Sequence, residues 1–194
     1  MDANELIYNH YKETCEIQRE SIKARNKLFI ILCLIIGLLY LLMISNDATV
    51  FSINSLLKEK WSIDFTFSAT IIQCVCWIFF LYVSMRYIQS SVYIERQYNY
   101  IHNIEEKLSN NNCISVEREG KAYLDNYPFI SNYIDFIYKW VMPVVFVITA
   151  SLKIILEIIN FYNCLALLFD IVIAILVIIL WVAYIIFLHK KKNS

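Results

Sequence analysis

The feature that most constrains this chain is a set of long runs without one charged side chain. Leu28 to Ser45 is 18 residues, Phe65 to Met85 is 21 and Ile171 to Leu188 is 18. As helix, 18 residues extend ~27 Å, close to the roughly 30 Å of hydrocarbon in a bilayer. Lipid offers backbone groups no water to bond, so such a run must be helical to satisfy them itself. Gly and Pro number two each and 59% of the residues are hydrophobic, so little interrupts long helices.

A fourth crossing rests on charge placement. Trp140 to Leu152 is 13 apolar residues before Lys153, short enough to be a re-entrant segment. If it did not cross, the Lys190-Lys191-Lys192 tail would lie opposite the basic N-terminal flank. A crossing over 138–159, with a turn at Asn160-Phe161-Tyr162-Asn163, brings the tail back. Fourteen of the 17 Lys and Arg residues then share one side, and the positive-inside bias makes that side the cytosol. Trp61, Tyr138, Trp140 and Tyr162 fall near the expected interfaces, as an aromatic belt requires.

The expected fold is therefore all-α: an integral membrane four-helix bundle, multi-pass, with both termini cytosolic. The first transmembrane hairpin is 28–85, with spans 28–45 and 65–85. The second is 138–188, with spans 138–159 and 164–188. Residues 1–27 and 86–136 are cytosolic, and 189–194 form a basic cytosolic tail. The first 27 residues are polar with no cleavage site after the first apolar run, which reads as an anchor that stays in the lipid. The Ile, Asn and Lys bias points to a bacterium, hence to its cytoplasmic (inner) membrane.

The cytosolic parts carry a helical period. Ile7, Tyr11, Cys15 and Ile22 recur at spacings of 4, 4 and 7, and Ile94, Tyr98, Ile101 and Leu108 at 4, 3 and 7. Neither segment holds Gly or Pro before the Asn110-Asn111-Asn112 turn signal. The pattern predicts an antiparallel two-helix stalk extending from the first two spans. Two helices lying on the lipid surface are the alternative, disfavoured because neither polar face is strongly basic.

Three charged residues fall within the second hairpin: Lys153, Glu157 and Asp170. A charge at mid-span costs roughly 2.5–3.5 kcal/mol on insertion scales, so such groups face partners or water. Lys153 and Asp170 are equidistant from the centre of the 160–163 turn, so a hairpin sets them at matching depth. They form a cross-hairpin pair, or they lie in the outer headgroup layer with Lys153 snorkelling. In the second span Thr66, Thr70 and Gln73 make a polar stripe above the apolar, aromatic stretch from Trp77 to Val83. That stripe lines a vestibule in an oligomer, or it hydrogen-bonds neighbouring helices.

Other signals narrow the function. Net charge is zero, which argues against nucleic acid as a partner. Six cysteines lie in apolar or cytosolic stretches without zinc or redox spacing and read as apolar fillers. His10 and His102 fall at similar height in the stalk, but two histidines make a poor metal site. No catalytic constellation or phosphate loop is present, so neither an enzyme nor a cofactor is expected. The mixed-charge stretch Glu117, Arg118, Glu119 and Lys121 around Gly120 is a candidate partner-docking loop, or a solvated connection.

The run Tyr11-Lys12-Glu13-Thr14-Cys15-Glu16 through Arg25-Asn26-Lys27, entering a span directly, resembles the juxtamembrane helix of small bacterial conflict-system membrane proteins of the SLATT and SMODS-associated four-span type. The likeness covers this helix, the first two spans and the general plan. It implies a phage-defence membrane protein that is a pore-forming effector or a sensor, and it carries over no functional residue. The expectation is a homo-oligomeric effector that permeabilises the bilayer; the alternative is a non-conducting anchor that recruits a cytosolic protein.

Overall fold

The near absence of helix breakers is expressed as five helices in the computed structural model, which describes residues 3–62, 66–112, 133, 136–160 and 164–192. Helix α1 spans Ala3–Ile44, α2 Asn46–Trp61, α3 Ala69–Asn112, α4 Met142–Asn160 and α5 Cys164–Lys192. No strand occurs among the described residues. A π-helical turn over Ile137–Val141 leads into α4. Pro143 lacks the N–H that an α-helical carbonyl four residues back would use, and the wider turn accommodates that gap. Four helices are long and apolar enough to cross a membrane, the described stretches being Glu5–Ile44, Ala69–Ser109, Ile137–Leu156 and Leu167–His189.

Helix α2 lies between the first two expected spans, 28–45 and 65–85. Residues 46–61 hold no Gly or Pro, and Asp47 near the start with Lys58 and Lys60 near the end suit the helix dipole. Ser62 closes it in the left-handed region at φ 54, its N–H donating to the carbonyls of Leu57 and Lys58. The Asn54 side chain then fastens the chain leading to α3: its Nδ2 donates to the Phe67 carbonyl at 3.0 Å and its Oδ1 accepts from the Phe67 N–H at 2.9 Å.

The chain divides into two compact units. One comprises Met1–Phe29 with Arg86–Phe136, the other Ile30–Met85 with Ile137–Ser194. In the first, α1 and α3 run antiparallel, because Tyr11 bonds Glu105, His10 bonds Tyr100 and Ser21 bonds Ser90. The core is Tyr11, Cys15, Ile101, Ile104 and Leu108, with Ile7 against it. The faces marked by periodicity are the ones that pack. On α3 the buried positions Tyr87, Ser91, Ile94, Ile101, Glu105 and Leu108 follow the 3–4 spacing of a coiled-coil seam.

This seam carries polar groups. Gln18 is 1% exposed, and neither amide atom has a hydrogen-bond partner among the described residues. Tyr11 donates to Glu105 Oε1 at 2.9 Å. Burial pushes the Tyr11 phenol well above its ordinary range, and the Glu105 carboxylate it bonds adds to the rise.

In the second unit the buried face of α5 is Asp170, Ala174, Val177, Trp181, Tyr184 and Leu188, again at spacings of 4 and 3. Also buried in this unit are Phe146 and Ala150 of α4, Trp77 and Phe80 of α3, and Leu32, Leu39 and Leu42 of α1, all under 2% exposed. Aromatic rings run through the interior in sequence: Trp77 to Phe80 at 5.7 Å, Phe80 to Phe146 at 5.8 Å and Phe146 to Trp181 at 4.7 Å between centroids. Only 22–33% of each apolar window is buried within the chain, so the outward apolar faces call for lipid or another chain.

Gln18→Leu removes two unbonded buried polar atoms and should raise the stability of the helix pair by about 1–3 kcal/mol, measured by denaturant unfolding followed by circular dichroism. Alkali should weaken the same unit. The unfolded chain releases the tyrosine proton near its ordinary value of 10.0 while the folded one retains it, so the contribution is complete below that pH and declines above it. Tyr11→Phe should flatten the decline in an unfolding series from pH 8 to 11.

Candidate functional site: a buried ion pair

The side chains that set this site apart come from three helices of the second unit. On α4, Thr149 and Lys153 are one turn apart on the face that also buries Phe146 and Ala150. On α5, Asp170 is the first residue of the buried 3–4 series. On α3, Gln73 and Cys74 lie in the turn before the buried Trp77.

Lys153 Nζ lies 3.6 Å from Asp170 Oδ2, the two side chains being 3% and 4% exposed. The same ammonium donates to Gln73 Oε1 at 3.3 Å. The Cys74 thiol donates to the other carboxylate oxygen, Asp170 Oδ1, at 3.8 Å. One turn away on α4, Thr149 Oγ1 donates to the Val145 carbonyl at 2.8 Å and lies 3.2 Å from the Tyr40 hydroxyl of α1. Each of the four long apolar helices thus contributes a polar group to the interior of this unit. The next layer along α3, α4 and α5 is the aromatic run of Trp77, Phe80, Phe146 and Trp181.

Lys153, Asp170 and Gln73 come together, and both charges are buried in the unit instead of extending outward along it. Thr66 and Thr70 do not join them; both are exposed while Gln73 turns inward, so the three do not form one outward stripe. The Glu157 side chain lies outside the described residues, as do Glu117, Arg118, Glu119 and Lys121. His10 Nε2 is 2.8 Å from the Tyr100 hydroxyl, and no cluster of metal-ligating groups occurs among the described residues.

Cys74, Thr149 and Tyr40 were not singled out in the sequence. Thr149 had a signal, since it precedes Lys153 by one helical turn. Cys74 read as an apolar filler because a thiol in an apolar run ordinarily is one. Tyr40 comes from a distant helix and left no mark.

The cluster's chemistry is electrostatic. Two opposite charges cancel in apolar surroundings, and their remaining valences go to an amide oxygen and a thiol. Separating them would expose two uncompensated charges, the costly state of a buried pair. Lys153→Met, which strands the Asp170 carboxylate, should destabilise the protein by about 3–5 kcal/mol. Lys153→Met with Asp170→Leu should recover most of that loss. Thermal unfolding in detergent measures both, and a double variant no more stable than the single one would deny the coupling.

No protein-family model, no curated protein and no solved structure matches this chain.

Proposed function

We propose that this chain is a multi-pass protein of the bacterial inner membrane, with cytosolic termini, that acts as a homo-oligomeric, membrane-permeabilising effector in a defence or stress system. The observation that supports it best is the layered interior of the second unit, a charged and polar layer followed by an aromatic one. Polar groups inside an apolar bundle favour water and ions once they part, and a packed aromatic layer excludes both while it holds. In this reading the resting state is sealed by Phe80, Phe146 and Trp181 and by the closed Lys153–Asp170 pair. Helices α1 and α3, which serve both units, carry the trigger from the cytosolic helix pair. That pair is the stalk of the assembly.

A second reading is a non-conducting anchor or sensor that recruits a cytosolic protein through residues 86–136. Its support is the exposure of Tyr93 and Tyr100 on α3, at 47% and 49%, since exposed aromatic side chains are favoured at protein contacts.

Opening the aromatic layer separates the two readings. Phe146→Ala removes a ring that touches both Phe80 and Trp181. Cells producing this variant should take up a membrane-impermeant dye and lose membrane potential several-fold faster than cells producing the wild type. Unchanged potential and no dye entry, at equal protein level in the membrane fraction, would refute the permeabilising function and leave the anchor.

A further inference from the structure

One face of the helix pair is patterned in a way its own seam does not use. A groove of about 600 Å3 runs between α1 and α3, lined by Leu6, His10 and Glu13 on one wall and Tyr100, Asn103 and Lys107 on the other, with Ile7 and Ile104 among its remaining contacts. These wall positions recur at intervals of three and four. Helical periodicity therefore continues the same two stripes to Ile17 and Glu20 on α1 and to Arg96 and Tyr93 on α3. Leu6 is 59% exposed, Tyr100 49%, Tyr93 47% and Ile17 45%. Scattered exposed apolar residues need no explanation, but a row of them along a cytosolic groove marks a contact surface.

The charges on the stripes divide by helix. Glu13 and Glu20 lie on α1, Arg96 and Lys107 on α3. A two-fold axis parallel to the groove would set α1 of each copy against α3 of the other, acid to base on both sides. An isologous dimer requires that self-complementarity, whereas an unrelated partner does not. The bonds across the seam fix heights: His10 is level with Tyr100 and Ser21 with Ser90. Arg96 therefore lies between the levels of Glu13 and Glu20. Glu20 holds Lys23 of its own helix at 2.9 Å, which makes Glu13 the better partner.

We propose that this face is the interface between two copies of the chain, which close over the groove as a four-helix bundle with Glu13 of each facing Arg96 of the other. The inference deepens the homo-oligomer of the proposed function and does not depend on whether that oligomer conducts. Its test reads mass, not leakage.

Full-length protein in nanodiscs or mild detergent, weighed by native mass spectrometry, should contain an even number of copies. Glu13→Arg alone and Arg96→Glu alone should each weaken the dimer by at least about tenfold, because each sets like charges face to face. Mixing these two single variants should restore dimers made of one copy of each. Intrachain pairing of the same residues would give no such rescue. Wild type at one copy per particle, or a mixture that behaves as its components do separately, would overturn the proposal. Both substitutions lie at exposed positions, and an unchanged circular dichroism spectrum confirms folding.

Discussion

A charge held among apolar side chains must find its opposite nearby, and much of the second unit is arranged around that requirement. Lys153 and Asp170 are each only 3% exposed. Neither would persist there alone, because desolvation of an isolated ion costs more than any single helix contact returns. Their meeting ties α4 to α5, and the amide of Gln73 and the thiol of Cys74 tie both to α3. The pair thus acts as a register mark: it specifies which turn of each helix stands beside which, in an interior whose other contacts are greasy and tolerant of sliding.

Much of the fold was legible because helix and lipid both write simple rules into sequence. Uncharged runs of bilayer length announced three of the apolar helices, and basic flanks argued for the fourth. The 3–4 spacing of Ile7, Tyr11, Cys15, Ile94, Ile101 and Leu108 marked the faces that pack. Symmetry about the 160–163 turn put Lys153 and Asp170 at one depth. The rest escaped for physical reasons. Helix α2 has a weak apolar period and no buried residue, so only the absence of breakers and the charges at its ends marked it. Gln73 could not be told from Thr70 by residue type; only the rotation of α3 places one inside and the other out.

The two units solve different problems with one geometry. In the helix pair, the seam admits Gln18, Ser91 and Glu105 at positions that a coiled coil would fill most stably with leucine. Such polar residues cost stability and restrict the alternatives a seam can adopt. In the second unit the same 3–4 spacing carries Trp181, Val177 and Ala174, with a single charge at its end. Helix α3 takes part in both, and its 44 residues contain neither Gly nor Pro.

The contact between Cys74 and Asp170 has a practical consequence. The Cys74 thiol is partly buried and donates to the Asp170 carboxylate, so it becomes freer to meet alkylating and oxidising reagents when that bond breaks. Its rate of labelling is therefore a natural gauge of how often the interior opens, one the molecule carries without any engineered probe.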